Sequence, residues 1–268
     1  MDRYAVLGHP IKHSLSPDIH TAFARQTGQA IEYHAIELPV TSFETRVWQL
    51  FKDGYKGFNV TVPFKEDAHD FADVLTERAK RAGSVNTLTH TEDGRILGDT
   101  SDGAGLVFDL IEQLGWALTG KNLLVLGAGG AVRGVLEPLL ACGPAQLVLA
   151  NRTLAKAEAL TDDFPEVSPM AFEEISGQFD LVINGTSASL SGHLPPLPEG
   201  LLNADTRCYD MMYGKDETVF NRWARSQGVI HCADGLGMLV GQAAVSFEIW
   251  RGVRPDPMPV LQGLREQL

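Results

Sequence analysis

An α/β fold in two domains is predicted by two features of this chain. Short apolar runs alternate with amphipathic segments, and Gly127-Ala128-Gly129 forms a turn between a buried run and a helical one. The alternation implies a mainly parallel sheet, because a helix must carry the chain back before the next strand can align. At about 150 residues per domain, 268 residues make one large domain or two modest ones.

The elements follow in order. Tyr4 to Leu7 predicts a strand, and Pro17 to Thr27 a helix. The fixed φ of Pro17 suits the first helical position, with Ser16 as the cap before it. Tyr33 to Leu38 predicts a strand, Phe43 to Lys52 a helix and Phe58 to Val62 a strand. Helical sequence then runs from about Phe64 to Arg81. Val85 to Thr89 and Arg95 to Leu97 predict a hairpin across Asp93-Gly94, a tight-turn dipeptide. A second unit begins near Asp102, with Val107, Leu110, Ile111 and Leu114 at helical spacing. Asn122 to Leu126 is a strand, Gly127 to Ala131 a tight turn and Val132 to Ala141 a helix. Gln146 to Ala150 and Leu181 to Asn184 are strands, and the three prolines between Ser189 and Gly200 mark a loop. Met238 to Trp250 is an apolar helix. A cleft between two α/β domains is the expected place for a ligand.

Composition narrows the function. Hydrophobic residues make up 44% and charged residues 21%, close to the globular average, which excludes a disordered chain or a coiled coil. With Lys+Arg 22 against Asp+Glu 34 the net charge is −12, so no nucleic-acid partner is expected. An anionic small molecule is still compatible, since a pocket can be locally basic. The longest apolar or glycine run, Leu123 to Val132, is far short of the roughly 20 residues of a membrane span. No signal peptide is read at the N-terminus. The three scattered cysteines are read as free thiols of a cytoplasmic protein. His9 and His13 are split by Pro10, so no metal site is expected there.

Gly127-Ala128-Gly129 has the context of a dinucleotide site. Glycine lets the backbone turn sharply and approach a pyrophosphate, whose charge sits against the helix N-terminus. The next strand end selects the cofactor. NAD sites place an acid there for the ribose 2′-hydroxyl, whereas this chain has Asn151-Arg152-Thr153 with Lys156 one turn on. A guanidinium can grip a 2′-phosphate through two parallel hydrogen bonds, so NADP is the expected cofactor. Thr153 can add a hydroxyl and cap the following helix.

Three polar segments point to a substrate. Ser14 and Ser16 stand beside a helix N-terminus, which suits a carboxylate. Lys65 falls in the first turn of a helix, where the macrodipole disfavours a cation, and a residue set against local preference hints at function. Asp102 lies just before a helix and has capping as its ordinary role. Gln242 shares an apolar stripe with Met238, Val245 and Ile249, where a buried amide needs a partner: a ligand hydroxyl or a protein carbonyl.

Over essentially its whole length the chain resembles the shikimate dehydrogenases. The matching segments are Gly8-His9-Pro10, Ser16-Pro17-Asp18-Ile19-His20, Asn59 to Lys65, Ala82 to Thr87 and Asp102-Gly103. Gly127 to Ala131, Asn151-Arg152-Thr153, Asn184 to Ser187, Asp210 to Tyr213 and Gly235 to Gln242 complete the set. The resemblance implies NADPH-dependent reduction of 3-dehydroshikimate to shikimate, a step of chorismate and aromatic amino-acid biosynthesis. It implies a substrate domain of residues 1–101 plus 238–268, with C-terminal helices returning to it, and a Rossmann-type NADP domain of residues 102–237. Lys65 and Asp102 would be the catalytic pair. Ser14 and Ser16 would meet the substrate carboxylate and Thr61, Asn86 and Gln242 its hydroxyls, with Asn59 and Tyr213 also on the substrate side. The cofactor set would be Gly127, Ala128, Gly129, Gly130, Ala131, Asn151, Arg152, Thr153, Lys156, Thr186, Ser187, Met211 and Gly235, with no metal. The expected state is a monomer or homodimer. Thr21, Thr100-Ser101 and Gly241 depart from the family pattern. Alternatives are a quinate/shikimate dehydrogenase using NAD(P), a non-catalytic NADP-binding homologue, and a methylenetetrahydrofolate-type reductase, which leaves Ser14, Ser16 and Gln242 unexplained.

Overall fold

Two six-stranded sheets organise the chain in the computed structural model, which describes residues 1–186, 188 and 192–268. The first compact unit is Met1–Gly105 with Leu239–Gln267, and the second is Leu106–Met238 with Leu268. The predicted α/β class is therefore the observed one.

The first unit contains β1 (Asp2–Gly8), α1 (Ser16–Thr27), β2 (Ile31–Glu37), α2 (Phe43–Lys52), β3 (Tyr55–Val60) and α3 (Lys65–Phe71). Then come β4 (Val74–Leu75), α4 (Glu77–Ala82), β5 (Thr87–His90), β6 (Ile96–Asp99) and the start of α5 (Asp102–Val107). The sheet order is β2-β1-β3-β5-β6-β4. Pairing is parallel from β2 to β3, and the expected β5–β6 hairpin is antiparallel. One face buries Phe58, Leu88 and Ile96 against Phe43, Val47, Leu50 and Phe64. On the other, Trp250 stacks on Tyr4 with ring centroids 4.6 Å apart. Its indole Nε1 donates to the Thr89 hydroxyl at 3.1 Å. Gly57 is required there, because a Cβ would overlap that indole.

The long helix expected from Phe64 to Arg81 is two short ones. Val74 and Leu75 form a parallel edge pair with Leu97 and Gly98. The Asp73 carboxylate accepts the Ile96 amide at 2.7 Å, and Thr76 caps α4 by accepting from the Ala79 amide at 3.3 Å. Pairing with β6 and this new cap outweigh helical propensity over Ala72–Thr76.

The second unit holds β7 (Asn122–Leu126), α6 (Gly130–Ala141), β8 (Gln146–Asn151), α7 (Leu154–Glu158), β9 (Val167–Ala171) and β10 (Leu181–Asn184). It continues with β11 (Arg207–Asp210), α8 (Val219–Ser226), β12 (His231–Asp234) and the first turn of α9 (Leu236–Arg251). The remaining helix, α10 (Pro257–Gln267), belongs to the first unit. All pairings of the second sheet are parallel, in the order β12-β11-β10-β7-β8-β9. Numbered within the unit and read from the other edge, that is 3-2-1-4-5-6, the doubly wound dinucleotide order. Both faces are covered. Leu123, Val125, Leu147, Leu149 and Ile183 face one core, and Leu124, Leu126, Val148, Ala150 and Val182 another. This is why β7 and β10 read as continuous apolar runs. After α5 the chain adopts a π-helical stretch, Phe108–Gln113. No described helix is long and apolar enough to cross a membrane.

Candidate active site

In the first unit, β3, β5, α3, α5 and α9 bring a set of polar side chains into one buried network. Lys65 opens α3. Phe64 precedes it, fully buried and stacked on Phe43 at 5.2 Å, which anchors this helix end. The Lys65 ammonium donates to Asp102 Oδ2 at 2.5 Å, with side-chain exposures of 11% and 1%. This contact offsets the dipole's opposition to a first-turn lysine.

Asp102 is the first residue of α5. The strand end before it is pinned at Asp99, whose carboxylate accepts from the Thr76 hydroxyl at 2.7 Å and from two nitrogens of Arg78 at 2.6 and 2.7 Å. Asp102 Oδ1 then accepts from Asn86 Nδ2 at 3.0 Å. Both carboxylate oxygens of Asp102 are thus held, one by a cation and one by an amide.

Asn86 is the hub. Its Oδ1 accepts from the Ser101 amide at 2.9 Å and the Thr87 hydroxyl at 2.8 Å. That fixes the amide's orientation and turns Nδ2 toward Asp102 and toward Gln242 Oε1, 2.8 Å away. The predicted need of Gln242 for a partner is met in part by this amide. Its own Nε2 hydrogens are not used in that bond.

Asn59 joins a second branch. Its Oδ1 accepts from the Tyr33 hydroxyl at 2.7 Å and pairs with His20 Nε2 at 3.1 Å, while Nδ2 donates to Ser246 at 2.8 Å. Ser16 also hydrogen-bonds the Tyr33 hydroxyl, whose pKa burial raises well above its ordinary value. Ser16 is the first residue of α1, and Leu15 holds the cap position that the sequence assigned to Ser16. The Ser14 hydroxyl accepts the Ser16 amide at 3.3 Å, so the turn closes one step earlier. Thr61, at the end of the β3 segment, is partly exposed. Thr100 is buried and its hydroxyl has no hydrogen-bond partner among the described residues.

His20 is fully buried and stacked on Tyr33 at 4.1 Å. Burial lowers its pKa to about 3, against a smaller upward pull from Asn59. Between that value and the ordinary ~6.5 the unfolded chain takes up a proton that the folded protein refuses. Stability contributed by the neutral ring is therefore complete above pH ~6.5 and lost as pH falls, with a limiting slope of about 1.4 kcal/mol per pH unit. In urea unfolding, the stability gap between the native protein and His20→Gln is expected to shrink steadily from pH 7 to pH 5. A constant gap would count against it.

In the second unit, Gly127 follows β7 with φ +105°, a left-handed conformation that favours glycine. A Cβ there would press on Gly185, which follows β10, at 3.3 Å. Gly129 caps α6 with no side chain at that position, so Ala128, Gly129, Gly130 and Ala131 shape a helix entrance with little side-chain bulk. At the end of β8, Asn151 Nδ2 donates to the Thr153 carbonyl at 2.9 Å. Thr153 takes the cap position of α7, but its hydroxyl does not cap, contrary to expectation. Arg152 and Lys156 are exposed, and neither side chain has a partner among the described residues. Beside β7, Asn184 Nδ2 donates to Asp210 at 3.0 Å and Asn184 Oδ1 accepts from the Thr186 hydroxyl at 2.7 Å. Met211 follows β11, buried, and its carbonyl packs against Gly235, the residue after β12. Tyr213 is in this unit and partly exposed. Ser187 lies outside the described residues.

Sequence reasoning missed Tyr33, Thr87 and Ser246 in the first unit, and Asn184 and Asp210 as the tie between strand ends in the second. Ser246 had one signal: it falls four residues after Gln242 on the same helix face.

Three family profiles match the chain: "Shikimate dehydrogenase substrate binding domain" over residues 6–88, "Shikimate / quinate 5-dehydrogenase" over 109–191 and "Shikimate 5'-dehydrogenase C-terminal domain" over 235–262. The chain is 56% identical to the shikimate dehydrogenase (NADP(+)) of Thioalkalivibrio sulfidiphilus, across 99% of this chain and 98% of the relative. Among solved structures it is similar to an Ael1 enzyme from Pseudomonas putida, at 48% identity, TM-score 0.91 and 98% coverage of both chains. It is also similar to the shikimate 5-dehydrogenase of Thermus thermophilus in complex with NADP(H) and shikimate, at 34% identity, TM-score 0.86 and 100% coverage of both.

Proposed function

Because the chain belongs to the shikimate dehydrogenase family, we propose that it catalyses the NADPH-dependent reduction of 3-dehydroshikimate to shikimate in aromatic amino-acid biosynthesis. The observation that carries the proposal is the buried 2.5 Å contact between Lys65 and Asp102.

The residues of the second unit fit an NADP molecule. The glycine-lined helix entrance after Gly127 suits a pyrophosphate, and exposed Arg152 at the β8 end, without a partner among the described residues, suits a 2′-phosphate. Asn151, Thr153 and Lys156 would line the same end, and Thr186, Ser187, Met211 and Gly235 the neighbouring strand ends. When bound, the cofactor supplies the hydride that reduces the substrate's ketone carbon.

The chain's own residues handle the charge that results. As the carbon gains a hydride its oxygen becomes an alkoxide, and Lys65 stabilises it. The Lys65–Asp102 pair supplies the proton that completes the alcohol. Asn86 holds the carboxylate end of this pair, so the lysine is presented in one orientation. Ser14 and Ser16 bind the substrate carboxylate at the α1 entrance. Thr61 and Gln242 bind ring hydroxyls, Gln242 offering its Nε2 hydrogens because Oε1 is taken, and Asn86, engaged at both ends of its amide, holds Gln242 and Asp102 in place. Asn59 has both ends of its amide engaged, so its part is to hold the network. We place the reaction in the cytoplasm, where Cys142, Cys208 and Cys232 stay as the free thiols seen here.

The test follows NADPH absorbance with 3-dehydroshikimate, with quinate plus NAD run in parallel. Turnover of the first pair alone supports the proposal. Turnover of quinate with NAD at a comparable rate, or of neither pair, sinks it.

A further inference from the structure

We propose that Ser246 is a positioning residue for this reduction, acting through Asn86 on the carboxylate of Asp102. The inference rests on the reading of Lys65 and Asp102 as the catalytic pair.

Ser246 lies on α9, fully buried, and four groups converge on its hydroxyl. Asn59 Nδ2 approaches to 2.8 Å, the Thr87 hydroxyl to 2.9 Å and the Ser101 hydroxyl to 3.2 Å. The fourth is the Gln242 carbonyl one turn back, at 3.1 Å. Thr87 gives its only hydrogen to Asn86 Oδ1, so Ser246 gives its own to Thr87 and accepts from Asn59 Nδ2 and from Ser101.

The Thr87 and Ser101 hydroxyls both also hold Asn86: Thr87 donates to its Oδ1 at 2.8 Å, and Ser101, whose hydrogen goes to Ser246, accepts from its Nδ2 at 3.0 Å. Ser246 therefore fixes where they sit. They fix which way the Asn86 amide faces, and its Nδ2 is also turned toward Asp102 Oδ1 and Gln242 Oε1. Without the Ser246 hydroxyl, Asn59 Nδ2 keeps only acceptors at 3.3 and 3.4 Å, and both hydroxyls lose a shared partner. The Asn86 amide keeps the Ser101 backbone N–H on its Oδ1, but the two hydroxyls beside it are no longer pinned, so its hydrogen bond to Asp102 is aimed less tightly. Among the described residues Ser246 has no hydrogen bond to Lys65 or Asp102, so its effect travels through Ser101, Thr87 and Asn86.

The experiment measures kcat, KM and thermal unfolding for the native enzyme, Ser246→Ala, Ser101→Ala and the double variant, with 3-dehydroshikimate and NADPH. Native turnover tests the functional proposal by itself. Given that turnover, Ser246→Ala is expected to lower kcat about 10-fold, a part of the ~10²-fold that a 1 Å misplacement of a reacting group can cost, with KM for NADPH unchanged. Residues acting on one chain of contacts are non-additive, so the double variant is expected to fall within about twofold of the slower single one. Ser246→Cys keeps the side-chain shape with a weaker acceptor and covers a folding failure of the alanine variant; it too is expected to lose kcat while folded. A folded Ser246→Ala or Ser246→Cys enzyme with kcat within about twofold of native overturns the proposal. Losses that multiply in the double variant also overturn it.

Discussion

Lys65→Met is expected to lower kcat by about 10²- to 10⁴-fold, the usual contribution of a positioned acid or base, with a much smaller change in KM. Methionine keeps most of the buried stem but removes the cation that meets the growing alkoxide. That interaction exists mainly in the transition state, so its loss shows in kcat rather than in binding. The same substitution leaves the buried Asp102 carboxylate with Asn86 but without its ammonium partner. Breaking a buried pair on one side is costly, so a fall in unfolding temperature is also expected. Thermal unfolding beside steady-state kinetics separates the two effects. A folded Lys65→Met enzyme with near-native kcat would remove Lys65 from the chemistry.

Arg152→Ala is expected to weaken NADPH binding by ~1.5–3 kcal/mol, the worth of a charge-assisted hydrogen bond, or about 10- to 150-fold. NADH, which lacks the 2′-phosphate, should bind almost as before. The expectation rests on position and exposure. Arg152 sits at the end of β8, the neighbour of β7 in the doubly wound order, where cofactor selection occurs, and no acid among the described residues pairs with it. Comparing KM values for the two cofactors in native and variant enzymes checks it. An equal loss for both would mean that Arg152 does not read the phosphate.

How far the sequence could be read depended on how locally each feature is encoded. The bounds of α2, β7 and β10 are those the apolar pattern predicts, because each is set by its own residues. β11 and β12, Arg-Cys-Tyr-Asp and His-Cys-Ala-Asp, were missed. They are four residues long and carry too little apolar pattern, and only pairing with a sheet already formed makes them strands. The break at Val74-Leu75 is of the same kind, since its cause is β6. In the site, Lys65 stood out because it contradicts the helix dipole, and Gln242 because it interrupts an apolar stripe. Ser246 and Thr87 contradict nothing locally. Small hydroxyls are tolerated in most settings, and their role is visible only once Asn59 and Asn86 are placed beside them. Position alone makes Ser16 a cap, and the structure turns it toward Tyr33 instead.

The first unit is discontinuous, closing with residues 239–267. During synthesis on the ribosome, Asn59, Asn86 and Thr87 emerge long before Gln242 and Ser246. The second unit lies almost wholly between the two segments and can complete its sheet first. Until α9 leaves the exit tunnel, the amides of the nascent first unit have water where that helix will stand, so the reductase becomes competent only once it has docked.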